Sequence, residues 1–411
     1  MRTMRSAREI GHVESLVSAA PTAADVASRQ TSEAAKPARI FFVDNVRWAM
    51  IVLVLGMHAA DTYSPIGNWY YREHPAVGPF DVLFFATFQG LLQGFFMALL
   101  FFVAGFFSAS SYDAKRASGF MAGRLRRLGL PTLFYVALLG PLTEFFVAHS
   151  WGGRSFPRAY GHYLASGEVF SGTGPLWFCA ALIVFSGAYA VWRLVTAGAG
   201  RLPAPRPIRA WGVAAAVAAL ALSTFAVRLV VPMGAAVFNM QLGDFPSYIL
   251  LFALGVTAAR GGWLEATSAR FAWRGAGVCV GAAMAMWLPL LVLGGALQGK
   301  STVFSGGFQW QSAGLCLWES LICVGMSFAV MAAFRGRLAG QGRFCKFMSD
   351  NAFAVYVIHP PILIALALAM AGIALPPAEK FALLWVASLV ASFGLAAPAA
   401  RRIPLLGSIL K

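Results

Sequence analysis

Residues 41–61 read Phe41-Phe42-Val43-Asp44-Asn45-Val46-Arg47-Trp48-Ala49-Met50-Ile51-Val52-Leu53-Val54-Leu55-Gly56-Met57-His58-Ala59-Ala60-Asp61. As a helix this stretch is long enough to cross a bilayer, for which about 20 apolar residues suffice. It nevertheless holds four ionisable side chains, each costing roughly 2.5–3.5 kcal/mol to insert. Apolar length predicts a membrane helix, and the charges predict that one face looks into a protein interior or a wet cavity. Arg47 and His58 are eleven residues apart, close to three turns, so they project from nearly one face about 16 Å apart along the axis. Asp44 precedes Arg47 by three residues and Asp61 follows His58 by three, and each is a favourable helical pair. One polar stripe therefore runs along an otherwise apolar helix. Imidazole is the common side chain that exchanges a proton near pH 7. His58 is thus the candidate catalytic group, with Asp61 to orient it and Arg47 as the charge at the far end of the stripe. A histidine bonded to a neighbouring helix backbone is the alternative.

The rest of the 411 residues has the same character: 59% are hydrophobic, 12% charged and 34 are Phe, with a mean hydropathy of +0.69. Soluble domains carry about 25% charged residues, so a soluble globule is excluded. A disordered chain is excluded too, because its apolar surface would lie in water. Further apolar spans fall near 80–108, 128–149, 174–194, 210–231, 245–260, 272–295, 311–334, 350–372 and 380–400, the one at 245–260 being short. The expected fold is all-α, a polytopic membrane helical bundle of about ten transmembrane helices. Residues 1–38, Ala-, Ser-, Thr- and Arg-rich without an apolar run, read as a disordered cytoplasmic tail. Residues 39–403 form the transmembrane domain, and 404–411 a short cytoplasmic tail.

The net charge is +16. With the N-terminus in the cytoplasm, only Arg72, Arg154, Arg158, Arg228, Lys300 and Lys380 lie outside or near the outer face, and Arg47 lies within the first span. Every other Lys and Arg falls on the cytoplasmic side, as the positive-inside rule requires of a protein with both termini there. Topology in a lipid bilayer accounts for the basicity, and no nucleic-acid partner is expected. The five cysteines form no CxxC pair and no metal spacing, so they read as packing residues and no metal is expected. Neither a P-loop, a dinucleotide fingerprint, HExxH nor GxSxG occurs. No tightly bound cofactor is expected, and a reactant must bring its own activation.

Four further groups stand out. Arg124 and Arg127 are three residues apart in what reads as the first cytoplasmic loop, and such a pair either holds phosphates bidentately or anchors the surface. The outer connections 62–79 and 150–173 carry Trp69, Tyr70, Tyr71, His74, Trp151, Tyr160, His162 and Tyr163. They form either an interfacial aromatic belt or a sugar-stacking rim. Glu144, after Pro141, and His149 either line an acceptor site or pair with another helix. Tyr356 and His359 share a face, and Pro360-Pro361 are expected to break their helix and free backbone carbonyls. Glu319, beside Trp318, has no evident partner.

Five of these pieces in order resemble the acyltransferase 3 family of membrane O-acyltransferases. They are Asp44-Asn45-Val46-Arg47 followed by His58, the run Phe101-Phe102-Val103-Ala104-Gly105-Phe106-Phe107, Arg124 and Arg127 ahead of Pro131, Gly174-Pro175-Leu176-Trp177-Phe178, and the segment from Asn351 to Pro360 with Tyr356 and His359. The resemblance covers about 40–400, and Phe95-Phe96-Met97-Ala98-Leu99-Leu100-Phe101-Phe102 is nearest to the glucan-modifying subgroup. It implies transfer of an acyl group, of acetyl or succinyl type, from cytoplasmic acyl-CoA to a hydroxyl of an extracytoplasmic saccharide or glycan. By that likeness Arg124 and Arg127 hold the CoA phosphates and Arg47 steers the thioester arm. His58 acts at the acyl carbon, either as a base on the acceptor hydroxyl or as a transient acyl carrier. Glu144, Trp69, His359 and Tyr356 are the candidate acceptor-side residues. The family also implies a multi-pass protein of the bacterial inner membrane. Without an appended SGNH-type domain, the chain is expected to acylate its acceptor directly or to hand the group to a separate periplasmic acceptor protein; a homodimer is the other partner considered. The competing reading is a proton-coupled or anion transporter, for which intramembrane His and Glu also suit. The halves of the sequence show no repeat of the kind many transporters carry.

Overall fold

The structure is a computed structural model and describes residues 40–67, 69–73, 77–147, 155–170, 172–196 and 205–410. The tail expected at 1–38 lies outside them, as do His74, His149 and Trp151. Among the described residues nine helical stretches are long and apolar enough to cross a membrane. Among the described residues strand is confined to Ala236–Val237 (β1), antiparallel to Met240–Gln241 (β2). The reason is general: a backbone in lipid must satisfy its own N–H and C=O groups, and a helix does so within one segment. The expected all-α polytopic bundle is therefore the fold found.

The crossing elements are α1 (Phe41–Tyr63), the stretch Pro79–Val147 containing α2 (Pro79–Arg124) and α3 (Gly140–Val147), α5 (Trp177–Val195), α6 (Ala210–Arg228), α7 (Phe245–Gly261), α8 (Ala269–Leu293), α9 (Trp310–Arg337), α10 (Arg343–Ala369) and α11 (Pro377–Leu389). A short helix, α4 (Phe156–Ala165), precedes α5. The stretch Pro79–Val147 has 69 residues, roughly 100 Å if straight against a hydrocarbon core of about 30 Å. It is not straight. Arg116 adopts φ 58° and ψ 178°, a non-helical conformation that ends one helical limb and starts another. The second limb returns along the first, since Arg124 donates to Ser108 Oγ at 3.0 Å and the rings of Tyr112 and Phe120 meet at 5.7 Å. This stretch supplies two crossings, which accounts for the ten spans read from the sequence. The segment expected to be a cytoplasmic loop is thus helical, with its reversal concentrated at Arg116. The span thought short at 245–260 is full length, because a 3-10 turn at Leu242–Asp244 extends it at the start.

The two prolines of α10 do not break the helix, contrary to expectation. Proline at 360 removes the amide that would bond the Tyr356 carbonyl four residues back. His359 Nδ1 lies 2.8 Å from that carbonyl and takes the vacated bond, so the ladder continues through Ala369.

The closest helix pairing is α2 with α7. A β-carbon on Gly105 would lie 2.1 Å from the Phe252 carbonyl oxygen, and one on Gly255 would lie 2.0 Å from that of Phe102. Backbone meets backbone here, which small residues allow and which substitutes for the absent hydrophobic drive between helices in lipid. Gly105→Val must push the helices apart. It is expected to cost about 2 kcal/mol or more and to lower the thermal midpoint of detergent-solubilised protein by several degrees. An unchanged midpoint would show the seam to be elastic.

Candidate active site

His58 and Asp61 lie one turn apart near the end of α1, and His58 Nδ1 is 3.3 Å from Asp61 Oδ2. A carboxylate only accepts, so Nδ1 carries the hydrogen and Nε2 keeps its lone pair. The other carboxylate oxygen, Oδ1, accepts from Gln89 Nε2 of α2 at 2.7 Å, and Gln89 Oε1 accepts from Ser64 Oγ at 2.6 Å. Asp61 is thereby held from both sides and can fix the imidazole's tautomer.

The connection after α1 folds back over this pair. Gly67 has φ +102°, and a β-carbon there would sit 2.3 Å from Asp61 Oδ1; only glycine lets the loop backbone lie on the carboxylate. Two residues on, the Trp69 indole stacks on His58 with ring centroids 3.7 Å apart and planes 13° from parallel. The loop is fastened at three points. Tyr70 and Tyr135 share a hydroxyl hydrogen bond of 3.0 Å, Arg72 donates to the Ser64 carbonyl at 3.2 Å, and Glu73 pairs with buried Lys380 of α11 at 2.6 Å. Burial holds the Tyr70 phenol well above its ordinary range, so it stays a neutral hydroxyl. Of the belt and rim readings for these aromatics, neither included a ring laid on the imidazole.

His359 of α10 also lies beside His58. It is fully buried, and its ring lies 5.4 Å from that of His58, 12° from parallel. Tyr356, one turn earlier, donates its hydroxyl to the Pro175 carbonyl, fastening α10 to the turn that opens α5. Glu144 of α3 lies within electrostatic reach of Glu168 and of Tyr70, Tyr135 and Tyr163. The Tyr163 phenol, on α4, is pushed up to about 12, chiefly by burial and then by Glu144, and it donates to the Val136 carbonyl at 3.0 Å. A carboxylate within electrostatic reach of three phenols thus lies toward the end of α1 away from Arg47.

At the other end of α1, Arg47 pairs with Asp44 at 3.1 Å, and its guanidinium sits 4.7 Å over the Phe107 ring. Arg124 lies over Phe120 at 5.2 Å, and both Arg47 and Arg127 are close enough to repel it. The guanidinium groups of Arg47 on α1 and of Arg127 on the turn that follows α2 therefore both lie within electrostatic reach of Arg124. Arg124 and Arg127 do not form the two-pronged face expected from α-helical spacing. Leu125–Gly129 is a π turn, wider than an α turn, which leaves Arg127 exposed while Arg124 turns in against Ser108. No cluster of three or more His, Cys, Asp or Glu that could hold a metal occurs among the described residues.

A second ionic centre lies between α2, α6 and α9. Arg228, placed near the outer face on sequence grounds, is buried at 1% exposure. It pairs with Asp244 at 2.6 Å and with Glu319 at 2.8 Å, which supplies the partner Glu319 lacked. Gln93 of α2 donates to the other Asp244 oxygen at 2.8 Å. The groups come from α2, α6, α9 and the turn before α7, 16 residues apart for the Arg228–Asp244 bond and far more for the others, and no local spacing carries that signal.

A family model described as an acyltransferase domain matches residues 40–401. No curated protein and no solved structure matches the chain.

Proposed function

The chain belongs to the acyltransferase family whose domain covers residues 40–401, and from that premise we propose that this multi-pass membrane enzyme moves an acyl group from acyl-CoA to a hydroxyl of a saccharide on the other side of the bilayer. The observation that carries the reading is the single polar line of α1. It joins the Arg47, Arg124 and Arg127 cluster to the His58–Asp61 pair, about 16 Å away along the helix axis. Phosphates suit guanidinium groups, which bind them with charge-assisted forks. A thioester arm threaded from that cluster ends beside His58. The lone pair on His58 Nε2 and the nearby Trp69, Tyr70 and Glu144 then suit a polyhydroxyl acceptor, whose ring faces stack on indoles and whose hydroxyls bond carboxylates and phenols. The thioester supplies the driving force, so no nucleotide motif is needed. The cluster lies on the cytoplasmic side in this reading, in keeping with the distribution of basic residues, and an acetyl or succinyl group is the proposed cargo. The bacterial inner membrane is the proposed location, with a second copy of the chain or a separate periplasmic acceptor protein as partners to be looked for.

The test is turnover of radiolabelled acetyl-CoA and succinyl-CoA by purified, detergent-solubilised protein offered a panel of saccharides. Release of CoA thiol with label appearing on a sugar is the expected result. Failure of every donor to lose its acyl group would sink the reading. Arg124→Ala with Arg127→Ala is expected to weaken acetyl-CoA binding by tenfold or more, since each charged hydrogen bond contributes about 1.5–3 kcal/mol. It should also flatten the dependence of affinity on salt. Titration at two ionic strengths checks both, and unchanged affinity would make the pair a surface anchor.

A further inference from the structure

We infer that His359 is a second catalytic residue, the group that takes the proton of the acceptor hydroxyl. The inference rests on the proposed acyl-CoA chemistry and adds a named base to it.

The local sequence sets the state of the ring. Proline at 360 leaves the Tyr356 carbonyl without its helical donor, and His359 Nδ1 fills the place at 2.8 Å. A carbonyl only accepts, so Nδ1 bears the hydrogen and Nε2 bears the lone pair. That lone pair has no hydrogen-bond partner among the described residues, although the side chain is fully buried. Leaving a buried acceptor unpaired costs about 1–3 kcal/mol, and a structural histidine would have no reason to bear it. The Trp69 Nε1–H is also buried and unpartnered. Its ring lies 6.3 Å from that of His359, planes 10° from parallel, and both rings flank His58. One unpaired acceptor and one unpaired donor beside the catalytic imidazole match a hydroxyl group, which donates once and accepts as well. A hydroxyl seated there gives its hydrogen to His359 Nε2 and receives one from Trp69.

The step then balances without another reactant. The acceptor oxygen forms its bond to the acyl carbon while its proton moves to His359 Nε2. The carbon–sulfur bond breaks and its electron pair stays on sulfur. The proton leaves His359 by way of His58, 5.4 Å distant between ring centroids, and ends on the departing thiolate, which restores both imidazoles. Asp61 steadies the charge that passes through His58.

The experiment uses full-length protein in detergent with acetyl-CoA as donor and methyl glycosides or water as the hydroxyl. His359→Ala should lower acyl transfer about 100-fold or more and leave the KM for acetyl-CoA unchanged. Added imidazole should restore turnover in proportion to its concentration. His359→Gln, which retains bulk and a donor for the Tyr356 carbonyl, should bind acetyl-CoA, stay inactive and gain nothing from imidazole. Transfer within threefold of wild type in either variant overturns the inference. So does inactivity of His359→Ala that imidazole does not relieve, and so does loss of acetyl-CoA binding in both variants, which would make the residue a strut. Where the wild type transfers the acyl group only to water, the same loss and rescue read on hydrolysis support the inference, and hydrolysis within threefold of wild type in His359→Ala overturns it. Wild-type protein that cleaves no donor removes the underlying reading instead.

Discussion

His58→Ala is expected to abolish acyl transfer, a loss of at least about 10²–10⁴-fold, while the protein inserts and elutes from size exclusion as the wild type does. The imidazole is only partly buried, and it touches one carboxylate, one stacked indole and the His359 ring, none of which is a contact that holds two helices together by bulk, so its removal leaves the helix packing intact. Asp61→Asn should come close to the same loss by another route. Gln89 Nε2 donates to one oxygen of Asp61, so an amide placed there turns its own oxygen toward Gln89 and its NH2 toward His58. Nδ1 would then have to accept, and the hydrogen would move to Nε2, the nitrogen that has to take a proton. Loss of thioester consumption at unchanged acetyl-CoA affinity checks both variants. Wild-type turnover in His58→Ala would remove the residue from the chemistry.

The largest effect on stability is expected from Arg228→Met. The guanidinium neutralises two carboxylates at 2.6 and 2.8 Å in a buried position. Without it Asp244 and Glu319 remain as two uncompensated charges among apolar helices, which costs about 3–5 kcal/mol. For a folded protein of ordinary marginal stability that is a large share of the total. Little monodisperse protein should survive solubilisation. Asp244→Asn combined with Glu319→Gln in the Arg228→Met background should recover much of the loss, since the three neutral groups keep the shape without the charge. The thermal midpoint of each variant decides the matter, and a midpoint for Arg228→Met equal to wild type would mean that the cavity it shares with Gln93, Thr224 and Ser320 is wet enough to solvate both acids.

Much of this could be read in one dimension because it repeats locally. Hydropathy marked every crossing, since lipid imposes the same demand on each segment. The pairs Asp44–Arg47 and His58–Asp61 followed from helical spacing alone and are both made. What the sequence hid depends on contacts between distant segments or on departures from the ideal helix. Glu319 finds Arg228 across the bundle. Trp69 reaches His58 only because Gly67 lets the loop fall inward. Pro360 and Pro361 looked like a break, yet a side chain replaced the missing amide. Arg124 and Arg127 lost their common face to a turn of a different pitch. The Pro360 case was within reach: histidine before proline offers a donor at the position where proline removes one.

Gln89 and Gln93 lie one turn apart on α2, the first bonded to Asp61 and the second to Asp244. A single rod therefore carries one hydrogen bond for the chemistry and one for the ionic lock, and the glycine seam with α7 keeps that rod from sliding. Robustness and turnover are in this way mechanically geared to each other. A substitution in the lock that shifts the rod by a fraction of an ångström is transmitted to the carboxylate behind His58, so variants selected for durability alone will drift in rate, and screens for activity will recover residues that never meet either substrate.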